Sequence, residues 1–314
     1  MALSRTFRVL SLPAMAFGLQ LASTLAPAQA QATDLPVRPS AGDIIKTSKQ
    51  SDWRPTDPAH TLYMDLPTGR VVIELAPDFA PQGIANIKTL VKEHYFDGLS
   101  INRSQDNYVA QWGDPNAETK PKPQGSAKAK VPGEFSVPMS NDKHFVQQKD
   151  ADGYAPQIGH SNGFPVGRDP KAGTTWLAHC YGAVGVGRDN DTDSGNGAEL
   201  YAVTGHAPRH LDRNITVVGR VLSGMPLLTT LPRGSEALGF YSANEARMPI
   251  VSVRLEADVP EAERSHLEVM RSESPIYQQV LEAQRNRGGP WNKYAANYLE
   301  LCNATMPVRE RGKL

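Results

Sequence analysis

Proline and glycine interrupt this chain so often, with 25 and 26 copies in 314 residues, that it must fold from short elements joined by turns rather than from long helices. Between the interruptions lie short apolar runs that alternate with polar residues, as half-buried strands do. Residues 61–66 and 70–75 predict a hairpin around Pro67-Thr68-Gly69, with Val71, Ile73 and Leu75 on the buried face and Val72 and Glu74 on the other. Pro81 suits a first helical position, and Ile84, Ile87, Leu90 and Val91 follow at helical spacing, so a helix is expected up to Tyr95-Phe96-Asp97-Gly98. Further strands are expected at 99–103, 108–112, 176–186, 199–204, 215–221 and 250–255, and a short second helix from Ser223-Gly224-Met225. Many short strands with few helices point to a mainly β domain, a barrel or a sandwich.

The flanks read differently. Arg5 and Arg8, an apolar stretch up to Ala26 and the small-x-small triplet Ala28-Gln29-Ala30 compose an expected signal peptide over 1–30, with an uncut start-proximal anchor as the alternative. Its removal leaves 31 basic and 33 acidic residues, a net charge of −2. That balance suggests no nucleic-acid partner, and no later segment is expected to span a membrane. Residues 31–60 read as a linker or loosely attached arm. Residues 115–176, with Lys120-Pro121-Lys122-Pro123 and a polar stretch near Asp150 to Gly173, read as a long irregular loop insertion. Residues 259–314 read as a helical C-terminal extension, with Ser274-Pro275 opening a helix through Ile276, Tyr277, Val280 and Leu281. Cys180 and Cys302 either pair in an oxidising compartment or leave Cys180 as a plain core residue.

The segment that carries chemistry is 101–114. It holds Arg103, Tyr108, Val109, Gln111, Gly113 and Asp114 at a spacing that resembles the signature of the cyclophilin family. Upstream, Ala80-Pro81, Asn86, Leu90 and Tyr95-Phe96-Asp97-Gly98 match that family's first helix and its exit. Downstream, residues 182–188, Asn196-Gly197, Tyr201, Leu211-Asp212 and 217–221 follow in the expected order. The resemblance covers roughly residues 61–256, inside a domain taken as 61–258. It implies an eight-stranded antiparallel β-barrel capped by two helices, acting as a peptidyl-prolyl cis–trans isomerase. In that reading Arg103 is the electrostatic catalyst. Tyr108, Val109, Tyr201 and Leu211 line a proline pocket, and Gln111 orients Arg103 or binds substrate backbone. Gly187, Arg188, Glu199 and His210 complete the substrate-binding set. The expected partners are proline-containing unfolded or extended polypeptides met by a monomer, with no cofactor.

The chain also departs from the family pattern. Glu199 stands where a glutamine is usual after Asn196-Gly197-Ala198, Gly187-Arg188 stands for Ala-Asn, His210 falls near an indole position, and Ile215 replaces a histidine. Glu199 is thereby expected to pair with Arg103 or Arg188, and loss of the indole to weaken binding of the cyclosporin class. These departures keep two other readings open, a catalytically silent chaperone or binding module, and an envelope assembly factor working through the insertion and tail. Metal is not expected. The calcium-like run from Asp189 to Gly195 has its glycine one position late and Leu200 at the bidentate position. Pro208 separates His206 from His210, and the adjacent His179 and Cys180 face opposite sides of a strand.

Overall fold

The computed structural model describes residues 35–313, so the expected signal peptide lies outside the described residues. Its centre is one eight-stranded antiparallel sheet. In spatial order the strands are Ser252–Leu255, Thr61–Leu66, Gly69–Leu75, Val217–Ser223, Ala183–Val186, Leu200–Val203, Val109–Gly113 and Ser100–Ser104. The sheet curls until its two edges approach. They meet through hydrogen bonds from the amides of Gly98, Ile101 and Ile250 to the carbonyls of Ile250, Met248 and Leu99, not through a continuous ladder. The expected barrel is therefore a curled sheet with partial closure.

Helix Pro81–Lys92 covers one opening and drives Ile84, Ile87, Leu90 and Val91 into the main core, beside Leu62, Met64, Val71 and Ile73. Glu134 caps its start by accepting from the amides of Gln82 (3.0 Å) and Gly83 (2.8 Å), two of the donors an α-helix leaves unpaired. The expected second helix is the five-residue turn Met225–Thr229, anchored by buried Leu228.

The hairpin differs from its expectation in burial. Val72 and Glu74 are buried as deeply as the face that alternation assigned to the core. Val72 and Tyr63 pack against Val259 and Leu267 of the C-terminal segment. Glu74 accepts hydrogen bonds from Arg54 (2.6 Å) and Arg220 (3.3 Å). The second face is covered because residues 35–60, the described part of the expected arm, are not loosely attached. Strand Trp53–Pro55 joins strands Leu267–Met270 and Val308–Glu310 in a three-stranded sheet, and helices Ala41–Ile45 and Pro275–Arg285 pack on each other and on Trp53 and Met270. The tail is thus part strand, and arm and tail bury each other's apolar side chains. Buried Glu268 crosses this sheet to Arg309 (2.9 Å), Arg311 (3.3 Å) and Gln50 (2.6 Å), a charge that would be costly without those donors.

The insertion is also more regular than expected. Residues 137–177 form a five-stranded antiparallel sheet, in the order Val137–Pro138, Thr174–Leu177, Phe164–Asp169, Gln157–Ser161, Phe145–Gln148. Its central hairpin turns at Asn162-Gly163, both with positive φ (49° and 85°), a two-residue turn whose twist matches its strands. Asp142, buried behind it, accepts from Arg168 (2.8 Å), Thr175 (3.3 Å) and Ser161. Residues 115–135 keep the irregular course expected of them, pinned by Asn86 to the backbone of Lys128 and by Asp114 to the amides of Asn116 and Lys122.

Cys180, in the connection before strand Ala183–Val186, is disulfide-bonded to Cys302 of the tail across 122 residues of sequence. A cross-link closing so long a loop restricts the unfolded chain strongly. Replacing both cysteines by serine is expected to cost about 2–4 kcal/mol in denaturant unfolding. Unchanged stability on replacement or reduction would show that the tail is held without the bond.

Candidate functional site

The site begins with a fault in a ladder. Strand Ser100–Ser104 pairs with Val109–Gly113, but the register shifts between Ile101 and Arg103, so Ile101 faces Trp112 and Arg103 faces Gln111. The extra residue, Asn102, makes a β-bulge that re-aims the chain locally. Arg103 then projects beside Gln111 into a groove of about 550 Å³ on the outside of the curled sheet.

Three acceptors hold the guanidinium. Its Nε donates to the Leu238 carbonyl (2.7 Å), one terminal nitrogen to Gln111 Oε1 (3.2 Å) and the other to Gln105 Oε1. The rings of Tyr108 and Phe240 lie 5.5 and 5.2 Å from its central carbon, within cation–π range. A guanidinium carries five N–H donors. With three engaged, two remain for a ligand, on a group that cannot swing away. Desolvation lowers the Arg103 pKa from its ordinary value, while Tyr108 and Tyr201 oppose the shift. Arginine keeps its charge regardless.

Of the residues assigned from sequence, Arg103, Tyr108, Val109, Gln111, Gly187, Arg188, Glu199, Tyr201 and Leu211 all line this one groove, and Ile215 lines it too. His210 does not line it. Its exposed ring stacks on Tyr108 at 6.4 Å, at the rim. The expected ion pair of Glu199 with Arg103 or Arg188 does not form. Glu199 reaches Arg103 only through Gln111, whose Nε2 lies 3.5 Å from its Oε2. Arg188 instead donates to the carbonyls of Asn214 (3.0 Å) and Asp189 (2.6 Å). The reason is reach: Gln111 stands between the carboxylate and the guanidinium.

The groove has two characters. Tyr108, Val109, Tyr201, Leu211 and Ile215 make an apolar end, and Gln111, Glu199, Asn196 and Gln124 a polar one. Tyr201 is fixed from behind. Its hydroxyl meets His179 Nε2 at 2.9 Å, and His179 Nδ1 meets Asp212 Oδ1 at 3.0 Å. Asp212 in turn accepts from Arg209 (2.6 Å), which grips Asp152 of the insertion with both terminal nitrogens. Burial opposes the charge on Asp212, but the hydrogen bonds from His179 and the Arg209 charge hold its pKa below the usual carboxylate value. Burial drives the Tyr201 pKa upward, so the hydroxyl stays protonated. The ring lies flat because position 185 is glycine. A Cβ there would come within 2.3 Å of the Tyr201 oxygen.

Sequence reading missed Leu238, Phe240 and His179. The first two sit in an irregular segment more than 130 residues from Arg103, and nothing local marks a backbone carbonyl as an acceptor. In sequence His179 stands out only beside Cys180, as a metal ligand would, and nothing there points to Tyr201 or Asp212.

A second cavity, about 310 Å³, lies between tail and sheet, walled by Phe164, Leu177, Val217, Met306 and the disulfide. Its charged lining residue, Arg220, is committed to Glu74, so the cavity offers no free group for chemistry.

Burial pushes the Glu199 pKa up to about 7; Asp114 adds to the shift, and hydrogen bonds from Gln111 and the Asp114 backbone oppose it. A carboxyl whose pKa is raised on folding contributes stability that is present below its unfolded value and lost as pH rises through the folded one. The stability of the native chain relative to Glu199→Gln should therefore fall between about pH 4.5 and pH 7 and level off above it. Denaturant unfolding of both proteins at pH 5 and pH 8 measures this, and a pH-independent difference would refute it.

Comparison with known proteins agrees with this geometry. The family model described as cyclophilin type peptidyl-prolyl cis-trans isomerase/CLD matches residues 61–255. A probable peptidyl-prolyl cis-trans isomerase of Brucella suis is 30% identical over 203 residues, covering 64% of this chain and 85% of the relative. A peptidyl-prolyl cis-trans isomerase of Helicobacter pylori is 33% identical over 89 residues, 28% of this chain and 55% of the relative. Among solved structures, the cyclophilin AquaCyp293 of Hirschia baltica superposes with a TM-score of 0.67 at 25% identity, over 87% of this chain and 98% of that one. That likeness extends beyond residues 61–255, into the segments that flank them.

Proposed function

This chain belongs to the cyclophilin-type peptidyl-prolyl cis-trans isomerases, and we propose that it turns Xaa-Pro bonds of exported polypeptides in the groove beneath Arg103 and so assists their folding. The observation that carries the mechanism is the immobilised guanidinium with two uncommitted N–H donors above an apolar pocket.

Rotation about a peptide bond is opposed by a barrier of about 18–20 kcal/mol from C–N double-bond character. Proline brings cis and trans close in energy but leaves their exchange slow. In the twisted state the amide loses conjugation, and the prolyl nitrogen becomes pyramidal with a localised lone pair. A donor fixed over that nitrogen binds the twisted state better than either planar one, which is the requirement for acceleration. The walls of Tyr108, Val109, Tyr201, Leu211 and Ile215 hold the five-membered ring and exclude water. No bond is made or broken, and no residue has to change protonation.

The route from Glu199 to Arg103 favours this reading over a silent binding module. The carboxylate stops at Gln111 and leaves the guanidinium's free donors open to substrate.

Two features support export: the arginine-led apolar stretch ending at Ala28-Gln29-Ala30, and the Cys180–Cys302 bond, of a kind that persists in oxidising compartments such as the periplasm. The secreted protein is expected to begin at Gln31, as N-terminal mass analysis would show; an intact Met1 to Ala30 in the exported protein would refute cleavage.

Arg103→Ala should lower kcat/KM on a short Xaa-Pro peptide by about tenfold or more, since each tenfold corresponds to about 1.4 kcal/mol of lost transition-state stabilisation. An unchanged rate in a folded variant would defeat the mechanism.

A further inference from the structure

We propose that Glu199 is a specificity-determining residue that selects Xaa-Pro sites carrying lysine or arginine two positions before the proline. The inference rests on the isomerase reading of the groove and adds the chemical class of its preferred substrate.

Spacing places the contact. Glu199 directly precedes strand Leu200–Val203, and its carbonyl still accepts from Gly187 in ladder fashion (2.9 Å). Glu199 and Tyr201 therefore project to the same face of one extended segment, about 6.6 Å apart. An extended peptide in the groove advances about 3.3 Å per residue. With proline against Tyr201, the side chain that meets Glu199 belongs to a residue two positions away. Arg103, Gln111 and Tyr201 share one rung of the sheet, and Glu199 lies two residues along it, on the side to which Gln111 turns its amide. With Arg103 on the prolyl nitrogen, the inference assigns Glu199 to the residues that precede proline, and the peptide with lysine after proline tests that direction.

Charge identifies the ligand. The Glu199 carboxylate lies on the groove wall with one long hydrogen bond from Gln111 and one from the Asp114 amide. Among the described residues no cation pairs with it. A carboxylate offers about four acceptor positions, so capacity remains for an ammonium or guanidinium. The surroundings supply no internal substitute. Arg103 is spaced off by Gln111, and Arg188 is turned to the carbonyls of Asn214, Asp189 and Asn190. Tyr95 and Asp189 line the same groove, Asp114 lies close to Glu199, and Lys122, 5.9 Å from the Tyr95 ring, donates to the carbonyls of His94 and Asp97. A basic side chain arriving here gains a partly desolvated partner, and an acidic one meets like charge.

The test uses the full mature chain and four peptides of one Xaa-Pro sequence. They carry lysine, norleucine or glutamate two positions before proline, or lysine two positions after it. Both kcat/KM and calorimetric Kd are measured for the native protein and for Glu199→Gln. Lysine before proline should exceed norleucine about fivefold or more and glutamate by more still, and the lysine-to-norleucine ratio should rise as pH passes through about 7. In Glu199→Gln the ratio should collapse towards one. A native ratio near one, a preference that survives Glu199→Gln, or a preference for lysine after proline would each overturn the inference. Turnover of the norleucine peptide would meanwhile keep the isomerase reading intact. Were no peptide turned over, the isomerase reading would fall, and the Kd ratios alone would decide the role of Glu199.

Discussion

The arrangement hinges on the immobility of one positive group. Arg103 sits on a strand, where a long side chain ordinarily keeps its rotamer freedom, and three acceptors from three separate segments remove it. Gln105 is two residues away, Gln111 is the cross-strand partner, and Leu238 lies 135 residues further along the chain. The bulge at Asn102 makes this possible, since without the extra residue position 103 would face a different partner and Gln111 would lose its neighbour. A flexible cation would bind planar and twisted peptides alike. A fixed one can favour the geometry that proline isomerisation passes through.

The pocket wall is held with similar thoroughness. From Tyr201 the contacts run through His179, Asp212 and Arg209 to Asp152, from the groove into the connection between two strands of the insertion. Cys180, next to His179 in sequence, is bonded to the tail. The insertion and the tail therefore do not hang from the catalytic sheet. They buttress the segment between strands Thr174–Leu177 and Ala183–Val186, on which the back of the pocket rests. The N-terminal arm completes the support by adding a strand to the tail and an arginine to the buried Glu74. Because burying an unpartnered charge is costly, Glu74, Glu268 and Asp142 each require their arginines, and those pairings fix how the added segments register on the sheet.

Much of this was legible in the chain itself. Turn residues and short alternating runs point to a mainly β domain and the periodicity after Pro81 to its helix, while the groove residues outside 101–114 are implied by the resemblance to the cyclophilin family. The first two features are local: each depends on residues a few positions apart, where backbone geometry sets which side chains share a face. Even the insertion carried a local sign, since Asn162-Gly163 between two apolar-polar runs is a strong hairpin signal. It stands in a polar segment, where alternation alone does not mark the strands on either side.

What the tertiary structure alone decided are the long-range partners. The covering of Val72 and Glu74, the pairing of arm with tail, the closure of Cys180 on Cys302, and the capture of Arg103 by the Leu238 carbonyl all join segments separated by tens to hundreds of residues. Side-chain period reports which face is apolar but not what will come to lie against it, and a backbone carbonyl has no residue type by which to be recognised. The separation of Glu199 from Arg103 has the same origin: both charges are plain in the sequence, and only folding places Gln111 between them.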